Sequence, residues 1–355
     1  MTRDLRSTTV VPLVLGAAHA LVDLACAFVL FRDLNVDEVA PITVATWIIA
    51  YDALAFVAQA PFGLLVDRLR AYRSVALVGI VAVVVALAIG PSAPKAASVL
   101  AGVGNALYHV GAGGHVLRAC GPGARGIGLF VGPGAIGLCI GILWGAGQVP
   151  YRMPIAAALV AILVAAAWAM PQAEASGVAL RHGVRPRPAR VVGLCLGLLL
   201  ATVTLRSTIG DNVVEEWRGR SVAIVVALAI TATLGKMVGG LLADRLGWIR
   251  VGGAALFVAA PVIALGRLSP FAAVAGMLLL QTTTPLTLKA IHELLPDRPA
   301  LAFGIPSAAL FVGAAPGLVS VWLFPAWPAL LVATLLSAVS VIVGLRSLGD
   351  RSAVG

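Results

Sequence analysis

Twelve apolar stretches, each near the length that crosses a lipid bilayer, leave this chain one kind of solvent. They fall near residues 8–31, 40–66, 72–90, 95–118, 124–148 and 151–170, and then near 190–210, 220–243, 249–267, 271–294, 300–324 and 327–346. A polar, Pro- and Arg-rich linker at 171–189 separates the two sets of six. Only 11% of the 355 residues are charged and 60% are hydrophobic, whereas a soluble domain carries about 25% charged residues. The expected fold is therefore an all-α membrane protein of twelve transmembrane helices in a six-plus-six arrangement, residues 1–170 and 190–355. Residues 3–20 have the outline of a secretion signal, with Arg3 and Arg6 before an apolar run and Ala18-His19-Ala20 after it. The run continues to Phe31, so it is read as the first spanning helix.

One short stretch occurs twice. Gly63-Leu64-Leu65-Val66-Asp67-Arg68-Leu69-Arg70-Ala71-Tyr72-Arg73 and Gly240-Leu241-Leu242-Ala243-Asp244-Arg245-Leu246-Gly247-Trp248-Ile249-Arg250 agree at seven of eleven positions, at a constant offset of 177 residues. Each copy joins the second and third helix of its half, which marks the chain as an internal duplication. Basic residues set the orientation. With the N-terminus inside, 16 Arg fall on the inner side, six Arg or Lys on the outer side, and Arg206, Lys236 and Lys289 within spans. This bias puts both hairpins and both termini in the cytoplasm, with the chain in the inner membrane. The net charge of +10 then reflects topology, not a nucleic-acid partner. Asp33, Asp37 and Glu38 are expected in the outer 1–2 loop, and Asp211, Glu215 and Glu216 in the 7–8 loop.

Twelve spans in two halves, with G-L-L-x-D-R at matched positions, resemble the major facilitator superfamily of secondary transporters. The resemblance implies two pseudo-symmetric bundles around a central cavity that opens alternately to each side. It also implies a conformational latch, in which the hairpin Asp caps a helix end and pairs with Arg: Gly63, Asp67, Arg68 and Arg73 in one copy, Gly240, Asp244, Arg245 and Arg250 in the other. Arg70 stands where the family has Gly, as Gly247 does in the second copy, so the first turn should differ. In span five, Gly128-Leu129-Phe130-Val131-Gly132-Pro133-Gly134-Ala135-Ile136-Gly137 is similar to the G-x-x-x-G-P motif of drug/proton antiporters in that family. There Gly128, Gly132 and Gly137 would let helices approach and Pro133 would bend one. His19-Ala20-Leu21-Val22-Asp23 in span one and Asn105 to Gly111 in span four resemble the fosmidomycin-resistance-like efflux branch. That branch has His-Pro in span four where this chain has His109-Val110.

An ionisable group within the hydrocarbon costs at least ~2.5 kcal/mol to insert, which makes each one a functional candidate. His19 and Asp23 share a helix face, and a carboxylate beside a His can exchange a proton near neutral pH. His19, Asp23 and Asp52 are the candidates for proton coupling; a fixed structural His19–Asp23 pair is the alternative. Gln59, Asn105, Tyr108, His109, Arg206, Gln281 and Lys289 are the candidates for the substrate path. Lys289 and Glu293 are four apart and can neutralise each other. His115 and His292 are separated by the repeat offset and are expected at gates or interfaces. Arg206 has no acid on its own helix and could pair with Asp23 or Asp52 or attract an anion.

Catalytic motifs are missing. His292-Glu293-Leu294-Leu295-Pro296 has Pro where a zinc-binding H-E-x-x-H needs its second His. Neither G-x-S-x-G nor a G-x-x-x-x-G-K-[ST] phosphate loop occurs. The four cysteines are scattered through apolar runs and are expected as core residues. The reading is a monomeric secondary transporter, not an enzyme, that exports a small solute against protons, with the lipid bilayer as its surroundings and no cofactor or bound metal. A metal exporter using His19, Asp23 and His109 is the second reading, followed by an anion carrier or a channel.

Overall fold

The computed structural model describes residues 6–34, 41–170, 188–318 and 327–348. Among them are helices and turns and no strand. In order these are α1 (Val11–Asp33), α2 (Pro41–Asp52, a π-helical turn Ala53–Val57, then Gln59–Leu69), α3 (Tyr72–Ile89), α4 (Pro94–Ala119), α5 (Arg125–Val131 and Gly134–Ala146) and α6 (Arg152–Ala169). The second half holds α7 (Ala189–Arg218), α8 (Val222–Leu246), α9 (Trp248–Leu265), α10 (Pro270–Gln281 and Thr284–Leu294), α11 (Pro299–Leu318) and α12 (Trp327–Arg346). Most of the linker, together with Asp37 and Glu38, lies outside the described residues.

Eleven of the twelve are long and apolar enough to cross a membrane. The exception is α4, 26 residues long. It carries Asn105, His109 and His115 among five glycines, and protein surrounds it where lipid surrounds its neighbours. Gly79 on α3 and Gly104 and Gly111 on α4 sit where an added Cβ would strike the facing backbone, so these two helices touch along their lengths. On the outside of α3, Val78, Val81 and Val85 repeat at helical spacing and stay exposed, as a lipid-facing stripe must.

The buried apolar residues form one core within residues 11–170, joined by Leu288 and Phe303, a second within 195–345, and a small third of Val66, Tyr72, Val110 and Ala300 that spans the two halves. In the first, α1 packs against α4 and α5; in the second, α7 packs against α11 and α12. Between the bundles, α2 meets α11 and α5 meets α8. The hydrogen bonds by which Asp67, Asp244 and Lys289 join one bundle to the other lie at the hairpin end. At the opposite end the ion pairs stay within one bundle: Arg152 with Asp33, and Arg267 and Arg220 with Glu216. The conformation is therefore closed at the hairpin end.

Two expectations need correction. Asp211, Glu215 and Glu216 do not lie in a loop: α7 runs for 30 residues, because nothing breaks it before Gly219. At 1.5 Å per residue it is about 45 Å long and outruns the ~30 Å hydrocarbon layer, so its apolar window ends before the helix does. Asp33 likewise closes α1 instead of opening a loop.

Candidate functional site

The site forms where α1, α4 and α5 meet at mid-membrane. Pro133 has no N–H, so α5 stops at Val131 and restarts at Gly134. In the last turn before that break, the Phe130 carbonyl lies 3.0 Å from His19 Nδ1. A side chain at Gly134 would collide with the His19 ring, so the glycine makes the room. On α4, His109 Nδ1 lies 2.8 Å from the carbonyl of Asn105, one turn earlier. Both rings are buried and stand edge to face, 4.4 Å between centroids.

The carbonyls fix the tautomers. A carbonyl oxygen only accepts, so each Nδ1 carries the hydrogen and each neutral ring presents a bare Nε2. Both Nε2 atoms face Asp23: His19 Nε2 is 3.1 Å from Oδ2, and His109 Nε2 is 3.8 Å from Oδ1. The Asn105 amide donates to Oδ1 at 2.9 Å. Two bare nitrogens and a carboxylate at these distances repel unless a cation lies between them. The three donor atoms sit within 4.8 Å of one another, so that cation can be a proton or a metal ion.

The other expected residues divide by place. Tyr108 is fully buried and donates to the Leu15 carbonyl, tying α4 to α1. Asp52, just before the π turn of α2, does not join His19 and Asp23; the charge that bears on it is Asp211 of α7. Gln59 gives its amide to Ala55 of its own helix at 2.6 Å, and its backbone presses on Gly304 of α11. Gln281 accepts from Thr284 at 2.9 Å, across the break in α10. Lys289, placed in the substrate path by sequence, reaches the other bundle instead. Its Nζ donates to the carbonyls of Gly121 (2.6 Å) and Leu117 (3.4 Å) at the end of α4, where a helix dipole favours a cation. Its long stem carries the charge there.

Arg206 is 2% exposed, and its Nη1 meets only the hydroxyls of Thr283 and Thr287, both at 3.4 Å. Lys236 of α8 is close enough to feel Arg206 as a like charge and Asp23 as an opposite one.

At the hairpin end the geometry is reciprocal. Asp67 of the first half accepts from the backbone N–H groups of Ala300 (3.0 Å) and Leu301 (2.9 Å), in the first turn of α11. Asp244 of the second half accepts from Ala124 (2.7 Å) and Arg125 (2.9 Å), at the start of α5. Each carboxylate thus caps a helix of the other bundle, where free N–H groups and the positive end of a dipole meet it. Each is steadied by its own hairpin's aromatic residue: Tyr72 donates to Asp67 at 2.8 Å, and Trp248 to Asp244 at 3.4 Å. Side chains at Gly63 and Gly240 would strike the Ala300 and Ala124 carbonyls, so the glycines set the approach. The arginines do not pair with these aspartates among the described residues. Arg68, Arg245 and Arg250 are exposed, and Arg73 donates to the Ala167 carbonyl at 3.1 Å.

The α5 motif works on three sides. Side chains at Gly128 and Gly132 would strike α8 of the other bundle, and one at Gly137 would strike the Ala20 backbone of α1. Sequence reading missed Phe130 and Phe303, whose rings meet at a tilt, 5.7 Å between centroids, with Phe130 beside His19 and Phe303 beside His109. Large aromatics in apolar runs carry no sequence signal that separates this role from core packing. The capped helix start at 299–301 did carry one, in Pro299 at the first helical position.

Among solved structures, the chain is similar to the E. coli fucose:proton symporter, with TM-score 0.67 and 13% identity over 97% of this chain and 99% of that one. A bacterial homologue of the iron transporter ferroportin, in an outward-facing state, gives 0.62 and 14% over 98% of each chain. The human organic anion transporter MFSD10 gives 0.63 and 15% over 97% of this chain and 99% of that one. No protein-family model matches the chain, and no curated protein matches it in sequence. At these identities the likeness is one of fold, and the fold is that of major facilitator superfamily transporters.

Proposed function

We propose that the chain is a secondary active transporter that exports a small solute across the cytoplasmic membrane by alternating access, in exchange for protons bound at His19, Asp23 and His109. One observation carries this reading: two buried imidazoles present bare nitrogens to one carboxylate, and a proton on any of the three relieves the repulsion. Asp52 is a second carrier. It feels the charge of Asp211 of the other bundle, and a proton on either removes a repulsion of like charges. The excess of inner arginines supports cytoplasmic hairpins, with residues 171–189 as a cytoplasmic linker and both termini inside. In that orientation the conformation described is closed to the cytoplasm. The chain works as a monomer, since each bundle supplies what the other caps.

The test is proton flux into proteoliposomes that hold the purified protein and a pH-sensitive dye, while a panel of solutes is added under an imposed pH gradient. At least one solute should evoke proton movement, and Asp23→Asn should abolish it. Flux indifferent to every solute, or unchanged in Asp23→Asn and Asp52→Asn, would sink the proposal.

A second reading has its own support. The ligand atoms of His19, Asp23 and His109 form a two-histidine, one-carboxylate set suited to a divalent transition metal. Against it, the ion would add two positive charges where Lys236 already bears on the site. Zn²⁺ or Mn²⁺ flux that quenches an entrapped metal dye, lost in His109→Ala, would favour it.

A further inference from the structure

We propose that Arg206, Lys236 and the broken turn of α10 bind an oxyanion, a carboxylate or phosphate-type group of the exported solute. The inference rests on the reading of the chain as a transporter and names its substrate class.

Arg206 is the starting point. A guanidinium carries five N–H donors in a planar fork. Here only Nη1 has partners, and both are long contacts to uncharged hydroxyls. Those hydroxyls spend their own hydrogens on backbone carbonyls: Thr283 on Leu280 at 3.0 Å, and Thr287 on Thr284 at 3.0 Å. Their oxygens can therefore only accept, which holds one arm of the fork. Nε and Nη2 have no acceptor among the described residues. Two nitrogens side by side with free hydrogens are what a carboxylate or phosphate engages in bidentate fashion.

Two further observations point the same way. Lys236 comes within electrostatic reach of Arg206, yet no carboxylate lies within ion-pair distance of either among the described residues. Two cations inside the membrane without a carboxylate at ion-pair distance are costly, and an anion bound between them offsets that cost. The second observation is the break in α10. Its first part ends at Gln281 and an 11-residue helix begins at Thr284, with Thr283 at its cap and Thr287 one turn in. The residues that hold Arg206 are thus the first turn of a half-helix, so its positive end lies beside the guanidinium. Half-helix starts at mid-membrane serve anionic groups in this way.

Lys236 lies between the two halves of the site: it feels Asp23 from the opposite bundle as well as Arg206 from its own.

Binding is read by thermal stabilisation of the purified full-length protein in detergent. The probes are inorganic phosphate, lactate, succinate and benzoate, against glucose as neutral control and tetraethylammonium as cationic control. At least one oxyanion should stabilise the protein and both controls should not. Arg206→Gln should weaken that binding at least tenfold, Lys236→Gln should weaken it several-fold, and Lys236→Arg should retain it. Asp23→Asn should still bind the oxyanion while losing the proton flux. Stabilisation by none of the oxyanions, equal stabilisation by the controls, or wild-type binding in both Lys236→Gln and Arg206→Gln overturns the proposal. Where Arg206→Gln fails to fold, Lys236→Gln decides. Oxyanion binding that needs these residues but drives no proton movement overturns proton coupling and leaves the anion site standing. Proton flux evoked only by neutral or cationic solutes does the reverse.

Discussion

The Gly63–Arg73 and Gly240–Arg250 hairpins each send a carboxylate into the first turn of a helix from the opposite bundle, at distances that agree within about 0.3 Å. At mid-membrane the same two halves have little in common: the first offers two histidines and a carboxylate, the second a guanidinium, an ammonium and threonine hydroxyls. The two copies are alike at the hairpin ends and unlike at mid-membrane. Under the proposed function that is expected: both hairpins close one gate, while a carrier that exchanges a proton for an anion has no use for a symmetric centre.

The sharpest way to break this comparison is to remove one cap. Each aspartate receives two backbone hydrogen bonds onto a charged oxygen, of a kind worth about 1.5–3 kcal/mol each. Asp67→Ala and Asp244→Ala should each bias the protein away from the closed hairpin end and lower transport at least tenfold, with membrane insertion intact. The check is transport beside thiol labelling of Phe303→Cys from the hairpin side, which should rise in both variants. If only one aspartate matters, the two hairpins are alike in geometry and unlike in work.

Much of that gate was legible in the sequence. The repeat at offset 177, the Asp-Arg pair and the helix on either side are all local. The partners of the aspartates were not, because they are backbone N–H groups of helices some 120 and 230 residues away, and any helix start offers the same groups. The arginines suggested ion pairs because opposite charges stood side by side, yet first-turn N–H groups offered each carboxylate a better-fixed set of donors. Intramembrane charges were legible as candidates for the same reason they are costly. Their sorting was not: Asp23 and His109 meet because α1 and α4 cross there, whereas Asp52 points elsewhere. Lys289 looked local beside Glu293, and its stem carries it to α4.

Lys289 supplies the next test, since it breaks the symmetry of the gate from one side. The residue one repeat earlier is Ala112, so the first half has no such tie. Lys289→Ala should remove two bonds to the end of α4 and lower transport several-fold, less than either aspartate variant. Lys289→Arg should recover part of it. An effect as large as that of Asp67→Ala would mean the gate is not mainly reciprocal.

The glycines of α5 separate closing from folding. Gly137 packs against Ala20 of its own bundle, and Gly128 against Lys236 of the other. Overpacking of this kind costs about 1–3 kcal/mol. Gly137→Ala should lower the thermal midpoint of the purified protein. Gly128→Ala should leave that midpoint nearly unchanged and raise hairpin-side thiol labelling at Phe303→Cys. Equal loss of stability in both would assign Gly128 to the fold alone.

The finest difference between the hairpins lies in their turns. In the first, Arg70 takes the left-handed conformation (φ 52, ψ 33) and Ala71 follows before α3 begins at Tyr72. In the second, Gly247 alone makes the turn (φ 95, ψ 139) and α9 begins at Trp248. The first turn is one residue longer, and its aromatic donor stands one position later, so Tyr72 and Trp248 reach equivalent aspartates. Arg70 therefore does not imitate Gly247. A left-handed Arg costs about 1 kcal/mol relative to Gly, so Arg70→Gly should stabilise the protein slightly and leave transport within about twofold. Gly247 sits at dihedrals that a side chain resists more strongly, at about 1–3 kcal/mol, so Gly247→Ala should destabilise. Thermal unfolding of the two single variants measures both. Opposite signs are expected, and the same sign in both would show that the two turns, despite their different lengths, bear the same strain.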